Sequence, residues 1–188
     1  MDPIQLINTF YPPGSRPNGI LTDHSLKVAQ RALAIAKNLM AHRPETSLDL
    51  GFIEKAALVH DIGIFKTCAR NIGCQGSHPY ICHGYLGREL LDDQGWDPAF
   101  GLVAERHTGA GITLENIQEN QLPLPHRDMV PITLEEKIIC CADKFYSKSP
   151  KKQNRTATME EVIGELTALA PEHGQRFAAM AKELFITD

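Results

Sequence analysis

The chain has 188 residues, enough for one domain and short for two. Hydrophobic residues make up 43% and charged residues 22%, so a real core can be buried. The formal net charge of -4 and a pI near 6.1 argue against a nucleic-acid coat or a membrane-surface protein, while leaving room for a local basic site for phosphate. No run approaches the roughly 18 apolar residues of a membrane span. The opening segment, MDPIQLINTFYPPGSRPNG, lacks a basic stretch and is interrupted by Asp2, Pro12 and Pro13, so it does not read as a signal peptide. A cytoplasmic protein is expected. Its five cysteines, Cys68, Cys74, Cys82, Cys140 and Cys141, are an odd number and fit reduced thiols better than a disulfide framework.

Helical spacing runs through most of the chain. A short helix is expected near 3–10. The next runs from Thr22 to about His42, capped by Thr22 or Asp23 and stopped by Pro44. A helix from about Asp49 to Asp61 follows, ended by Gly63. Another spans about Pro79 to Asp93. Asp97-Pro98 opens the next, with Asp as cap and Pro at the first position, and Gly109 closes it. Thr133-x-x-Glu136 and Thr158-x-x-Glu161 read as capping boxes for helices of about 133–145 and 158–169. Pro171 opens the last, about 171–184. Residues 67–78, 121–132 and 148–156 read as loops, long enough to border a site. No segment alternates like a strand and no repeat is evident. The expected class is all-α, a single bundle of about seven to nine helices, with a core over about 20–146 and the C-terminal helices packed on it.

Polar residues interrupt the apolar stripes of five helices. His24 shares a stripe with Val28, Ile35 and Leu39. His60 and Asp61 follow Ile53 and Ala57. His83 continues to Leu86 and Leu90. His107 lies four after Val103, and Asp143 four after Ile139. A lone histidine on such a face is usually a satisfied core residue. Six titratable side chains facing one core need a common partner, because unpaired buried carboxylates are costly. A metal ion is the simplest, and imidazole with carboxylate suits Mn, Fe, Zn, Co or Ni better than Ca. Neither HExxH nor CxxC is present, so the common zinc-protease and zinc-ribbon sites are unsupported. Neighbouring helical residues diverge by about 100°, so His60 and Asp61 can serve one site only near a helix end.

The segment ALVHDIGIFK resembles the signature of the HD superfamily in its HDIG variant. The order His24, His60-Asp61, Asp143 is similar to that family's metal ligands, and the resemblance covers about residues 20–146. It implies an all-α fold that hydrolyses phosphomonoesters, nucleotides or cyclic nucleotides with one or two divalent ions (Fe, Mn, Co, Ni, Mg or Zn). His83 and His107 fall where binuclear branches place ligands for a second metal, with Asp61 as the implied bridge. HGYLGRELL and ERHTG resemble the branch that symmetrically cleaves diadenosine tetraphosphate. The cyclic-di-GMP branch is less favoured, since ERHTGAGIT has one histidine and no GYP.

Many HDIG proteins carry a phosphate-binding lysine directly after the glycine. Here Ile64 stands there, and Lys66, Arg70, Arg106 or Lys144 is expected to stand in. The resemblance thus implies Asp61, Lys66 and Arg106 as catalytic residues, with Lys66, Arg70, Arg106 and Lys144 meeting substrate. The implied partner is a small phosphate ester or nucleotide, with no membrane or nucleic-acid polymer, and a homodimer is allowed. The run Lys144, Lys148, Lys151, Lys152 and Arg155 reads as a solvated loop able to meet a polyphosphate. Cys68, Cys74 and Cys82 flank His78 and His83 at no standard zinc spacing. His42, His126 and His173 read as surface residues. Two other readings stay open: a catalytically silent module that binds or senses a nucleotide, and a di-iron oxygenase on the same scaffold.

Overall fold

The computed structural model describes residues 1–149 and 155–187. Lys151 and Lys152 of the basic run lie outside them. Among the described residues the fold is all-α, with nine helices: α1 Pro3–Phe10, α2 Arg16–His42, α3 Leu50–Val59, α4 His83–Asp93, α5 Pro98–Arg106, α6 Leu114–Glu119, α7 Leu134–Lys144, α8 Met159–Leu169 and α9 Pro171–Glu183. β-Pairing among these residues is limited to isolated bridges, one of which, between Thr67 and His78, clasps the base of the 67–78 loop.

Five elements depart from the expectations, and the first three position the site. Helix α2 begins six residues early. Ser15, not Thr22 or Asp23, caps it by accepting from the Asn18 amide, and Pro17 is tolerated in the first turn because its missing N–H would be unpaired there anyway. The Asn18 side chain then donates to Tyr11 O at 2.9 Å, tying the early turn to α1. Helix α3 stops at Val59, and the chain tightens into a 3-10 turn over Ile62–Lys66. Gly63 therefore does not end the helix. It lies inside this turn, where an added Cβ would meet His83 O at 2.3 Å and Gly87 N at 2.4 Å.

The helix expected from Pro79 opens as a 3-10 turn, Tyr80–Cys82, and becomes α-helical only at His83. Helix α6 was not foreseen; its box is closed by Asn116 rather than the usual Glu or Gln. The box expected at Thr133 is half formed. Thr133 caps the Glu136 amide, but the Glu136 carboxylate goes to Arg106 and to the Ile132 amide. At Thr158 the box is complete.

Helix α2 packs on α3 and α7, and these meet α9 in the main core around Val28, Leu39, Ile53, Ile138 and Phe177. A second core gathers α1, the 3-10 turn and α4 through Ile7, Tyr11, Ile62 and Leu91. Tyr11 fixes that turn directly. Its hydroxyl donates to Ile62 O and accepts from the Phe65 amide, each at 2.9 Å. The ends of α3, α5 and α7 and the start of α4 thereby converge beside the middle of α2.

Candidate metal centre

His24 projects from α2, His60 and Asp61 follow the last turn of α3, and His83 is the first residue of α4. His107 follows the last turn of α5, and Asp143 lies in the last turn of α7. All six are buried. The structure brings them together. His24 Nε2 is 2.9 Å from Asp143 Oδ1 and 3.3 Å from Asp61 Oδ2. His60 Nε2 is 3.1 Å from the same Asp61 oxygen and 3.4 Å from Asp143 Oδ1. The other oxygen of Asp61 lies 3.4 Å from both His83 Nε2 and His107 Nε2, which are 3.1 Å apart. Two ligand-like groups result, His24–His60–Asp61–Asp143 and Asp61–His83–His107, and Asp61 belongs to both.

Three imidazoles are aimed by one device. His60 Nδ1 faces Ala57 O at 2.6 Å, His83 Nδ1 faces Tyr80 O at 2.7 Å, and His107 Nδ1 faces Ala104 O at 2.7 Å. Each carbonyl belongs to the residue three before. A carbonyl can only accept, so Nδ1 carries the proton and a neutral ring leaves the Nε2 lone pair for the centre. Lone pairs of Nε2 thus face carboxylate oxygens, a repulsive arrangement unless a cation or proton lies between them. His60 Nε2 and Asp61 Oδ1 are buried without a well-formed hydrogen bond among the described residues, and Asp61 Oδ2 meets the Lys148 ammonium at 2.7 Å. Orphaned acceptors in an N/O set of this kind fit a divalent cation.

Without a metal, the electrostatics favour neutral rings at His83 and His107 but a second proton, on Nε2, at His60. Burial lowers His83 to about 3, helped by His107, so it stays neutral at physiological pH. Burial lowers His107 as well. His60 moves up to about 9, because Asp61 and Asp143 outweigh burial. Burial would raise both carboxyls, but cationic neighbours win: His60 and Lys148 hold Asp61 well below the usual carboxylate range, and Lys144 and Lys148 do so for Asp143.

A cavity of about 430 Å³ opens over the centre, lined by His83, His107, Asp143, Lys144, Lys148 and Tyr80 among others. Lys144 Nζ lies 2.6 Å from Asp143 Oδ2. The remaining expected substrate residues are elsewhere. Lys66 ends the 3-10 turn, Arg70 is exposed on the following loop, and Arg106 pairs with the buried Glu136 at 2.9 Å; none is among the lining residues. Two further residues join the site: Lys148, read in the sequence as part of a solvated basic run able to meet a polyphosphate, and Tyr80, which that reading left out. Lys148 Nζ is 2.7 Å from Asp61 Oδ2, and Tyr80 stacks on His83 with ring centroids 4.7 Å apart. The signal for Lys148 was the basic run that follows Asp143, and for Tyr80 only its spacing, three before His83. His173, read as a surface residue, is half-buried against Gly109.

The family model for the HD domain matches residues 21–147. This chain belongs to the HD domain family, the superfamily of metal-dependent phosphohydrolases. It is 38% identical over 125 residues to an uncharacterized protein of Methanocaldococcus jannaschii, covering 66% of this chain and 65% of that one. It is 41% identical over 99 residues to a tRNA (cytidine(56)-2'-O)-methyltransferase of Picrophilus torridus, covering 53% of this chain and 25% of that one. A protein of the same name from Thermoplasma volcanium is 33% identical over 127 residues, 68% of this chain and 32% of that one. The chain thus spans less than two thirds of each of these relatives. Among solved structures, the HD domain of the L. monocytogenes phosphodiesterase PgpH matches with a TM-score of 0.54 at 16% identity, over 97% of this chain and 94% of that one. Its complex with cyclic-di-AMP matches with a TM-score of 0.56 at 14% identity, over 98% and 94%. At such identity the likeness concerns the fold.

Proposed function

We propose that this chain is a single HD domain that hydrolyses a phosphate ester of a nucleotide or a related small molecule. The observation that carries this reading is the placing of Asp61, with one oxygen toward His24 and His60 and the other toward His83 and His107. His24, His60, Asp61 and Asp143 would hold one divalent cation, and Asp61, His83 and His107 a second. The chemistry a divalent cation supplies when bound is Lewis acidity, which acidifies water and draws charge from phosphoryl oxygens. The carbonyl-pinned imidazoles keep their proton on Nδ1, so the centre is organised before anything binds. Lys144, at the cavity wall, would offset charge developing on a phosphate oxygen. In the reaction a water oxygen forms the new bond to phosphorus, the ester P–O bond breaks, and the leaving oxygen takes up a proton.

A nucleotide is favoured by the cavity volume, within the range of small-molecule sites, and by the cyclic-di-AMP carried by one structural neighbour. The diadenosine-tetraphosphate-like motifs HGYLGRELL and ERHTG make dinucleoside polyphosphates a further substrate to try. The methyltransferase name belongs to relatives of which this chain spans 32% or less, so methyl transfer is not carried over.

The test is a screen of metal-stripped protein reloaded with Mn, Fe(II), Co, Ni, Mg or Zn. Substrates are p-nitrophenyl phosphate, its bis ester, nucleoside mono- and triphosphates, cyclic dinucleotides and diadenosine tetraphosphate. Turnover that needs metal and disappears in Asp61→Ala supports the reading. Stoichiometric metal without turnover on any ester counts against it, and turns attention to a silent nucleotide-binding module or an oxygen-dependent di-iron reaction.

A further inference from the structure

Lys148 is the buried cation that the ligand set does not explain. It follows α7, and its side chain is 12% exposed, although it carries a charge. An ammonium this far withdrawn from water is held by anionic partners, because leaving it unpaired is strongly unfavourable. Lys148 has two such partners, Asp61 Oδ2 at 2.7 Å and Asp143 Oδ1 at 3.6 Å. These are the same two oxygens that face His24 and His60. The positions a cation would share with those imidazoles are therefore in competition with the Lys148 ammonium.

The competition has a chemical consequence. With a divalent cation held by Asp61 and Asp143, the Lys148 ammonium would lose the negative charge that holds it and would be repelled. Lys148 then needs another anion within reach of its flexible four-carbon stem. Its side chain lines the cavity that opens over the centre, beside Tyr80, so the free space next to it is where substrate would enter. Among the described residues, the acids near the centre already have partners, and Glu165, which also lines the cavity, is not free either. Glu105 is held by Arg88 and Arg127, Glu136 by Arg106, and the outer oxygen of Asp143 by Lys144.

We propose that Lys148 is a substrate-binding residue that exchanges its partner: in the metal-free protein it pairs with Asp61, and in the loaded protein it binds a phosphoryl oxygen of the substrate. The inference rests on the phosphohydrolase reading above. It assigns to Lys148 the phosphate contact that the sequence had distributed over Lys66, Arg70, Arg106 and Lys144. Lys144 stays paired with Asp143, on the oxygen that faces away from His24, and offsets charge from there without contacting the phosphate.

The test uses the full chain loaded with manganese and inorganic phosphate as the probe, with binding read by calorimetry and metal content by atomic emission. Lys148→Met should keep its manganese and bind phosphate about ten- to a hundredfold more weakly, the loss expected of one charge-assisted hydrogen bond. Without phosphate, the same variant should bind manganese at least as tightly as the native protein, since the competitor is gone. Lys148→Arg should keep part of the phosphate affinity, and Lys66→Met should keep all of it. Phosphate affinity within about twofold of native in manganese-loaded Lys148→Met would overturn the proposal and leave Lys148 a counter-ion of Asp61. If that variant fails to fold or load, the native protein decides: in a crystal with manganese and phosphate, Lys148 Nζ on the phosphate supports the proposal, and Nζ still on Asp61 overturns it. Native loaded protein that binds no phosphate would overturn the phosphohydrolase reading first, and this assignment with it.

Discussion

Replacing Gly63 by alanine tests how the HDIG turn builds the centre. An alanine Cβ would come within 2.3 Å of His83 O, 2.4 Å of Gly87 N and 2.9 Å of Gly87 Cα. Ordinary contact begins near 3.4 Å, so a gap of about 1.1 Å must open (3.4 less 2.3). The three obstructing atoms are all backbone of α4, so no rotamer change can relieve them. Helix α4 must move away from the 3-10 turn, and it carries His83 with it. The His83 Nε2 to Asp61 Oδ1 distance, now 3.4 Å, should grow, while His24, His60 and Asp143 sit on α2, α3 and α7 and stay in place. Overpacking of this kind costs about 3 kcal/mol, at the upper end for a methyl forced against backbone. For a chain of this length that corresponds to a fall in Tm of about 6–12 °C. The assay pairs calorimetric unfolding of metal-free protein with a manganese titration. The expected outcome is a lower Tm with weakened binding of the second equivalent of manganese and a retained first. A variant within about 2 °C of native that binds both equivalents alike would refute the reasoning.

Tyr11→Phe removes the hydroxyl that bridges Ile62 O and the Phe65 amide, and should cost about 2 kcal/mol in urea unfolding, the sum of two buried hydrogen bonds. Burial raises the Tyr11 phenol well above its ordinary value, so stability it contributes is complete below about pH 10 and is lost as pH rises further; Tyr11→Phe should show a shallower loss of stability above pH 10. Glu105→Gln leaves Arg88 and Arg127 without their carboxylate and should cost about 2 kcal/mol by urea unfolding, less than a fully buried pair because both arginines keep contact with water. In the native protein at pH 8, iodoacetamide should label Cys68, which is exposed, and spare Cys140, whose thiol burial pushes up to about 12. Mass spectrometry of the labelled peptides checks this, and stoichiometric labelling of Cys140 would contradict the packing described.

Much of this was legible along the chain because helices are local. Spacing of three and four placed His24, His60, Asp61, His83, His107 and Asp143 on core-facing stripes, and all six are buried at one centre. Capping chemistry located α5, α7 and α8, and Pro171 located α9, since such signals are read within three or four residues. What remained hidden depends on partners distant in sequence. The early start of α2 rests on Asn18 reaching Tyr11, and the role of Gly63 rests on the approach of Gly87. The basic residues divide on the same ground. From composition alone Lys66, Arg70, Arg106, Lys144 and Lys148 are alike, but only packing reveals that Glu136 holds Arg106 and that Lys148 reaches Asp61 across 87 residues. A periodic pattern states which way a side chain faces. Which charge it meets there is a long-range Coulombic matter, and the tertiary structure alone decides it.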